Sequence, residues 1–339
     1  MKPLLCLLLS SWLSISANAQ ETRITNIDIE DGPNAMRLAS LSAFRALALG
    51  NFEELEKLFE RWNNPGERLL DGTWKLSAFS VGVQNFYAEG NLWPHRYEPL
   101  KQWRLRFPKS KAAAVAEANY WRTYAWHARG PGYANTVTKE GWALFNERIE
   151  RAEQALLESK EYASDNPLWY REYLEVALSM GWSRSEFRKL FDEAVAKAPL
   201  FYHHYYAMTI KLMPAWGGSY EQLEEFAQQS IRRADMSEGA SLYARLYWMI
   251  DSQVPLNFDL FGDSRVSWPT LQRAFDELRT QRPKSKWILH AYASFACRAR
   301  DRTTYLRLRA QMGNDKFEDV WHPAHTQDVC DRRYPPVKT

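Results

Sequence analysis

The 339-residue chain has little of what most quickly assigns a function. Its 15 Gly and 16 Pro are too few for a loop-rich all-β protein. It has no surplus of either charge. Against 44 Lys+Arg stand 41 Asp+Glu, and a net charge of +3 gives no electrostatic case for nucleic acid binding. Beyond the N-terminus no apolar run is long enough to span a bilayer. The patterns H-E-x-x-H, G-x-S-x-G, C-x-x-C and the P-loop are all missing, so the sequence assigns no catalytic residue, no metal and no cofactor. What it does have is aromatics: 15 Trp, 17 Tyr and 16 Phe, within an apolar fraction of 45% that excludes wholesale disorder.

The first residues read as a signal peptide over 1–19. Lys2 is the basic n-region, Leu4 to Ile15 the apolar stretch, and Ala17-Asn18-Ala19 the cleavage site. The mature chain is then periplasmic or secreted. Of three cysteines, Cys6 leaves with the leader, and Cys297 and Cys330 remain. In an oxidising compartment an even pair reads as one disulfide. Two free or metal-bound thiols are the alternative.

The rest reads as helix after helix. Met36, Leu38, Ala39, Leu41, Phe44 and Leu47 recur at helical spacing until Gly50. About a dozen such stretches follow, with short connections. The expected organisation is an extended segment over 20–34, a helical domain over 35–312 and a C-terminal tail over 313–339 tied back by the disulfide. Two internal echoes suggest a repeat. Pro108-Lys109-Ser110-Lys111 recurs as Pro283-Lys284-Ser285-Lys286, each opening a helix with a capping serine. Asn166-Pro167-Leu168-Trp169 is echoed by Ala198-Pro199-Leu200-Phe201 at a spacing near the roughly 34-residue tetratricopeptide period. The stretch from Phe187 to Tyr205 resembles a tetratricopeptide junction, where an Ala-rich helix end and a Pro precede a helix opening on aromatics. The expected fold class is therefore all-α, a tetratricopeptide-like helical repeat; an irregular helical bundle fits the same pattern.

Two loops resist a packing-only account. In the first, Tyr124-Ala125-Trp126-His127-Ala128-Arg129-Gly130 ends a helix and Pro131-Gly132-Tyr133-Ala134-Asn135 follows. Gly130 suits a left-handed C′ position, and Arg129 complements the helix dipole. Either this is a cap and a turn, or Trp126, His127 and Arg129 form a patch for an anionic or sugar-like group. The second is Pro214-Ala215-Trp216-Gly217-Gly218-Ser219. Ser219 reads as an N-cap with Gln222 completing a capping box. Trp216 and Ser219 are either linker residues or ligand contacts at a helix N-terminus. With these motifs, Ala125 to Gly130 and Pro214 to Ser219, the chain resembles the domain-of-unknown-function 4034 family over roughly Ala35 to Met312. That resemblance implies a largely helical, tetratricopeptide-like bacterial protein and carries over no catalytic residue.

Other constellations are weaker. His203-His204 point apart on a helix and read as packing. His322, His325 and Cys330 have the residue types of a zinc site but lack a second nearby thiolate. The expected role is a scaffold binding a protein or peptide through Trp126, His127, Arg129, Trp216 and Ser219. The alternative is a secreted polysaccharide-active enzyme of (α/α) toroid type. That chemistry needs paired carboxylates; Asp71, Glu140 and Asp263 are candidate acids near aromatics, and the sequence does not distinguish them from solvated helix-end carboxylates.

Overall fold

The structure is a computed structural model and describes residues 31–233, 238–315 and 317–335. The expected leader and most of the segment 20–34 lie outside the described residues; Gly32–Asn34, read as extended, already belong to the first helix. Sixteen α-helices and no β-strand occur among the described residues. The chain is all-α. The stretch read as one helical domain falls into two compact units. One holds Ala35–Leu69 and Thr73–Gly217; the other holds Leu70–Gly72 and the chain from Gly218 on, with the described residues up to Asn34.

The helices of the first unit are α1 (Gly32–Ala48, which enters the unit at Ala35), α2 (Phe52–Trp62), α3 (Lys75–Ala88), α4 (Trp93–Arg106), α5 (Lys111–Arg129), α6 (Lys139–Ala163), α7 (Pro167–Ser179), α8 (Arg184–Lys197) and α9 (Tyr202–Leu212). Their starts are written in the sequence. Asn51, Ser110, Thr138, Asn166 and Ser183 each accept a backbone N–H of the turn they open. From α2 on, consecutive helices pack together, most extensively α5 with α6. In addition α3 meets α5, α5 meets α7 and α7 meets α9, so alternate helices form a row of their own. Burial follows this division. Every residue of α7 from Pro167 to Leu178 is buried. In α8 only Phe187, Leu190, Phe191, Ala194 and Val195 are, the single stripe of a helix packed on one side.

The second unit contains α10 (Tyr220–Arg233), α11 (Ser241–Gln253), α12 (Leu260–Asp263), α13 (Trp268–Gln281), α14 (Lys286–Arg298), α15 (Arg302–Met312) and α16 (Gln327–Arg333). It repeats the contrast. All of α14 from Trp287 to Cys297 is buried, while α13 buries only Leu271, Ala274, Phe275 and Leu278. A disulfide joins Cys297 of α14 to Cys330 of α16 across 33 residues, so the thiols are neither free nor metal-bound.

The aromatic surplus has a specific use beyond bulk. Buried tyrosines place their rings in the core and donate their hydroxyls to carboxylates on neighbouring helices. Tyr243 and Tyr247 of α11 both reach Glu224 of α10, Tyr292 of α14 reaches Asp276 of α13 at 2.9 Å, and Tyr305 of α15 reaches Asp331 of α16 at 2.6 Å.

Candidate functional site

The first loop motif is built on a fixed pedestal. Gly130 closes α5 with its N–H donating to Trp126 O at 3.0 Å. Its φ of 75° is positive as the sequence suggests, but its ψ of 174° takes it out of the left-handed helical well into an extended region open to glycine alone. Arg129 Nη1 donates to the carbonyls of Gly130 and Gly132 at 3.1 and 2.8 Å. Its guanidinium lies between the Trp126 and Trp142 rings, 5.1 and 5.5 Å from their centroids. Trp126 in turn donates Nε1–H to Ser179 Oγ at 3.0 Å and meets Phe145 edge-on. Arg129 therefore ties the loop to the helices rather than projecting from it. His127 is the exposed member, with Nε2 2.8 Å from Asn91 Oδ1. Partial burial, with the nearby Arg148 charge, lowers its pKa and favours the neutral ring.

A Cβ added at Gly130 meets nothing within 4 Å, so a substitution there carries only a backbone cost. Gly130→Ala is expected to destabilise by about 1–3 kcal/mol through conformational strain. Urea unfolding measures this, and an unchanged midpoint would show that the loop adopts another conformation.

The second motif does a different job. Pro214–Trp216 form one 3-10 turn, and Gly217 follows in the left-handed region at φ 81°, ψ 16°. Gly217 O accepts from Arg184 Nη2 at 3.0 Å. Ser219 Oγ accepts the Gln222 N–H at 3.3 Å as expected, but the return half of the capping box is not made, because Gln222 Oε1 has no partner. The boundary between the two units falls between Gly217 and Gly218. Trp-Gly-Gly-Ser is thus the passage from one unit to the next. Within the first unit Trp126 and Arg129 are brought together and His127 is held by Asn91; Trp216 lies next to the unit boundary, and Ser219 belongs to the second unit.

Of the carboxylates singled out by sequence, Glu140 belongs to the first unit, and Asp71 and Asp263 to the second. Glu140 is exposed in the first turn of α6. Asp263 is exposed at the end of α12 and accepts the Asp259 N–H at 2.9 Å. Asp71 offers its backbone carbonyl to Arg245 Nη2 at 2.6 Å. The rings of His322 and His325 lie 5.6 Å apart, but the Cys330 sulfur beside them in sequence is in the disulfide. Among the described residues no group of three His, Cys, Asp or Glu is placed to hold a metal ion.

Sequence reasoning missed a buried polar network linking α3, α5 and α7. Tyr87 donates to Asn119, and Asn119 Nδ2 donates to Glu172 Oε1 at 2.7 Å. Arg122 holds Glu172 through Nε at 2.9 Å and Glu175 through Nη2 at 2.8 Å. Arg171 Nε reaches Glu175 Oε1 at 3.3 Å. All these residues are buried. Related acids sit at helix starts. Glu56 accepts from Ser110 Oγ at the head of α5 and from Trp103 Nε1. Asp31 accepts from Ser285 Oγ and Trp287 N at the head of α14. The two Pro-Lys-Ser-Lys segments are therefore the same joint, a capping serine that also grips a carboxylate from earlier in the chain.

Histidines complete the buried polar set. His204 Nε2 donates to Pro167 O at 2.9 Å, and Nδ1 is left without a partner. Burial pushes His204 and His290 down from 6.5 to about 4. As pH falls below 6.5, the unfolded chain takes up protons that these rings refuse in the fold. Their contribution is intact above that pH and is lost as pH falls toward 4, at up to about 1.4 kcal/mol per pH unit for each ring. Melting curves at successive pH values test this, and a melting temperature that stays flat through the interval contradicts it.

Comparison with known proteins gives a family match over part of the chain. No curated protein and no solved structure matches the chain. The family described as domain of unknown function DUF4034 matches residues 41–170. That span includes Ala125 to Gly130 and its pedestal up to Phe145 but not Pro214 to Ser219, so it is narrower than the motifs alone suggest. The family resemblance read from the sequence is thus supported over residues 41–170, where the chain is similar to the DUF4034 family.

Proposed function

We propose that the protein is an exported helical-repeat scaffold, tetratricopeptide-like in organisation, that binds a protein or peptide. The observation that most supports this reading is the alternation in the first unit. The helices α3, α5, α7 and α9 form a row of next-but-one contacts with α7 buried along its length, while α8, between α7 and α9 in the chain, shows a single apolar stripe. Stacked helix pairs of this kind present extended surfaces suited to polypeptide ligands. The Cys297–Cys330 disulfide supports export into an oxidising compartment, as does the leader over 1–19. The loop after α5 is the leading contact surface. Arg129 and Trp126 fix it in place, and a preorganised loop loses little entropy on binding. His127, Ala134, Asn135 and Thr136 are exposed there. Trp216 and Ser219 form a second candidate contact.

Two measurements test the proposal. Sequencing the N-terminus of the exported protein should begin at Gln20; an intact Met1 on all the protein would remove the export claim. The intact protein should co-purify with a polypeptide at fixed stoichiometry. Changing His127 and Asn135 together to Ala should release that polypeptide without altering the melting temperature. A partner retained by this double variant, and by Trp216→Ala, would refute both contact surfaces.

A further inference from the structure

The second unit contains a feature that a polypeptide scaffold does not require. An open depression of about 630 Å³ is lined by Leu70, Arg279, Pro283, Lys284, Leu289 and their neighbours Lys286 and Gln311. Three of its seven lining residues are cationic and none is acidic. Arg279 is the fixed element. Its Nη1 donates to Ser285 O at 2.7 Å and, more weakly, to Arg282 O at 3.4 Å. Among the described residues no carboxylate forms an ion pair with this guanidinium, and burial works against its charge, offset in part by Asp31. The buried Asp31 is itself engaged by Ser285 Oγ and by the Trp287 and Gly32 N–H groups. Lys286 is paired to Asp315 at 3.0 Å. Lys284 is exposed on the rim. A guanidinium held by two carbonyls is oriented before any ligand arrives, and its planar fork suits a carboxylate or a phosphate. Leu70, Leu289 and Pro283 supply an apolar wall alongside these cations.

We infer that this depression binds a small organic anion, its carboxylate or phosphate on Arg279 and Lys284 and its apolar body against Leu70, Leu289 and Pro283. The site goes beyond polypeptide binding and stands or falls separately from it, because none of its residues belongs to the two loop motifs.

The test is isothermal titration of the intact mature protein with phenyl phosphate and with benzoate, using benzyl alcohol as the uncharged counterpart. One or both anions should saturate a single site, and the tighter of the two identifies the headgroup. Lys284→Glu, at an exposed position, should weaken that binding at least tenfold with an unchanged melting temperature, and Arg279→Gln should abolish it. Failure of both anions to saturate, equal binding of benzyl alcohol, or undiminished binding in Lys284→Glu would overturn the inference.

Discussion

Arg122→Ala should be among the most damaging single changes in the first unit, with an expected loss of about 3–5 kcal/mol. The reason is the charge it leaves behind. Arg122 is the common partner of Glu172 and Glu175, and all three side chains are buried between α5 and α7. Without the guanidinium, Glu172 keeps its bond from Asn119 and Glu175 keeps its bond from Arg171. Neither bond replaces the charge. Each carboxylate must then stay ionised in a poor environment or take up a proton. The cost therefore belongs to the orphaned partners and not to the pair itself. Replacing Arg122, Glu172 and Glu175 together by apolar residues of similar size should recover most of the loss, since a well-packed apolar substitute for a buried ion network is often neutral. Urea unfolding of the single and triple variants distinguishes the two. A loss below about 1 kcal/mol for Arg122→Ala would mean that water reaches the carboxylates.

Breaking the disulfide is the second large effect. Cys297 and Cys330 close a loop across 33 residues and anchor α16 to α14. In the chain-entropy description, a loop of that length contributes roughly 3–4 kcal/mol by restricting the unfolded ensemble. Cys330→Ala and treatment with reductant should lower stability by similar amounts. The segment after Met312 has few long helices to hold it otherwise. Among its described residues, the helical pieces are the turns at Glu318–Val320 and Pro323–His325 and the seven-residue α16. Limited proteolysis of the reduced protein should therefore cut first beyond Met312. Equal protease resistance before and after reduction would show that Tyr305, Arg309 and their partner Asp331 hold the tail without the bridge.

Much of this architecture is legible in the sequence because helices announce their own ends. Ser110, Asn166, Ser183 and Ser285 all cap as their types and positions indicate. The Cys297–Cys330 pairing agrees with the reading of an even cysteine pair as one disulfide. The interior polar chemistry does not, and the cause is specific. Arg171, Glu172 and Glu175 look like the solvent face of α7, since charge on a helix usually faces water. That helix has neighbours on several sides, and burial from α3, α5 and α9 is a tertiary fact that its local pattern does not encode. Each loop motif holds a glycine at positive φ, Gly130 and Gly217, as the sequence suggests. Their roles depended on partners distant in sequence, such as Ser179 for Trp126 and Arg184 for Gly217. Only the structure separates a braced loop from a passage between units.

The most direct test of the scaffold reading is a hydrogen-exchange footprint of the protein with its co-purified polypeptide. The account predicts slowed exchange across residues 127–137 on binding, with α7 already slow and unchanged. Protection confined to other segments, with residues 127–137 exchanging as in the free protein, would contradict it.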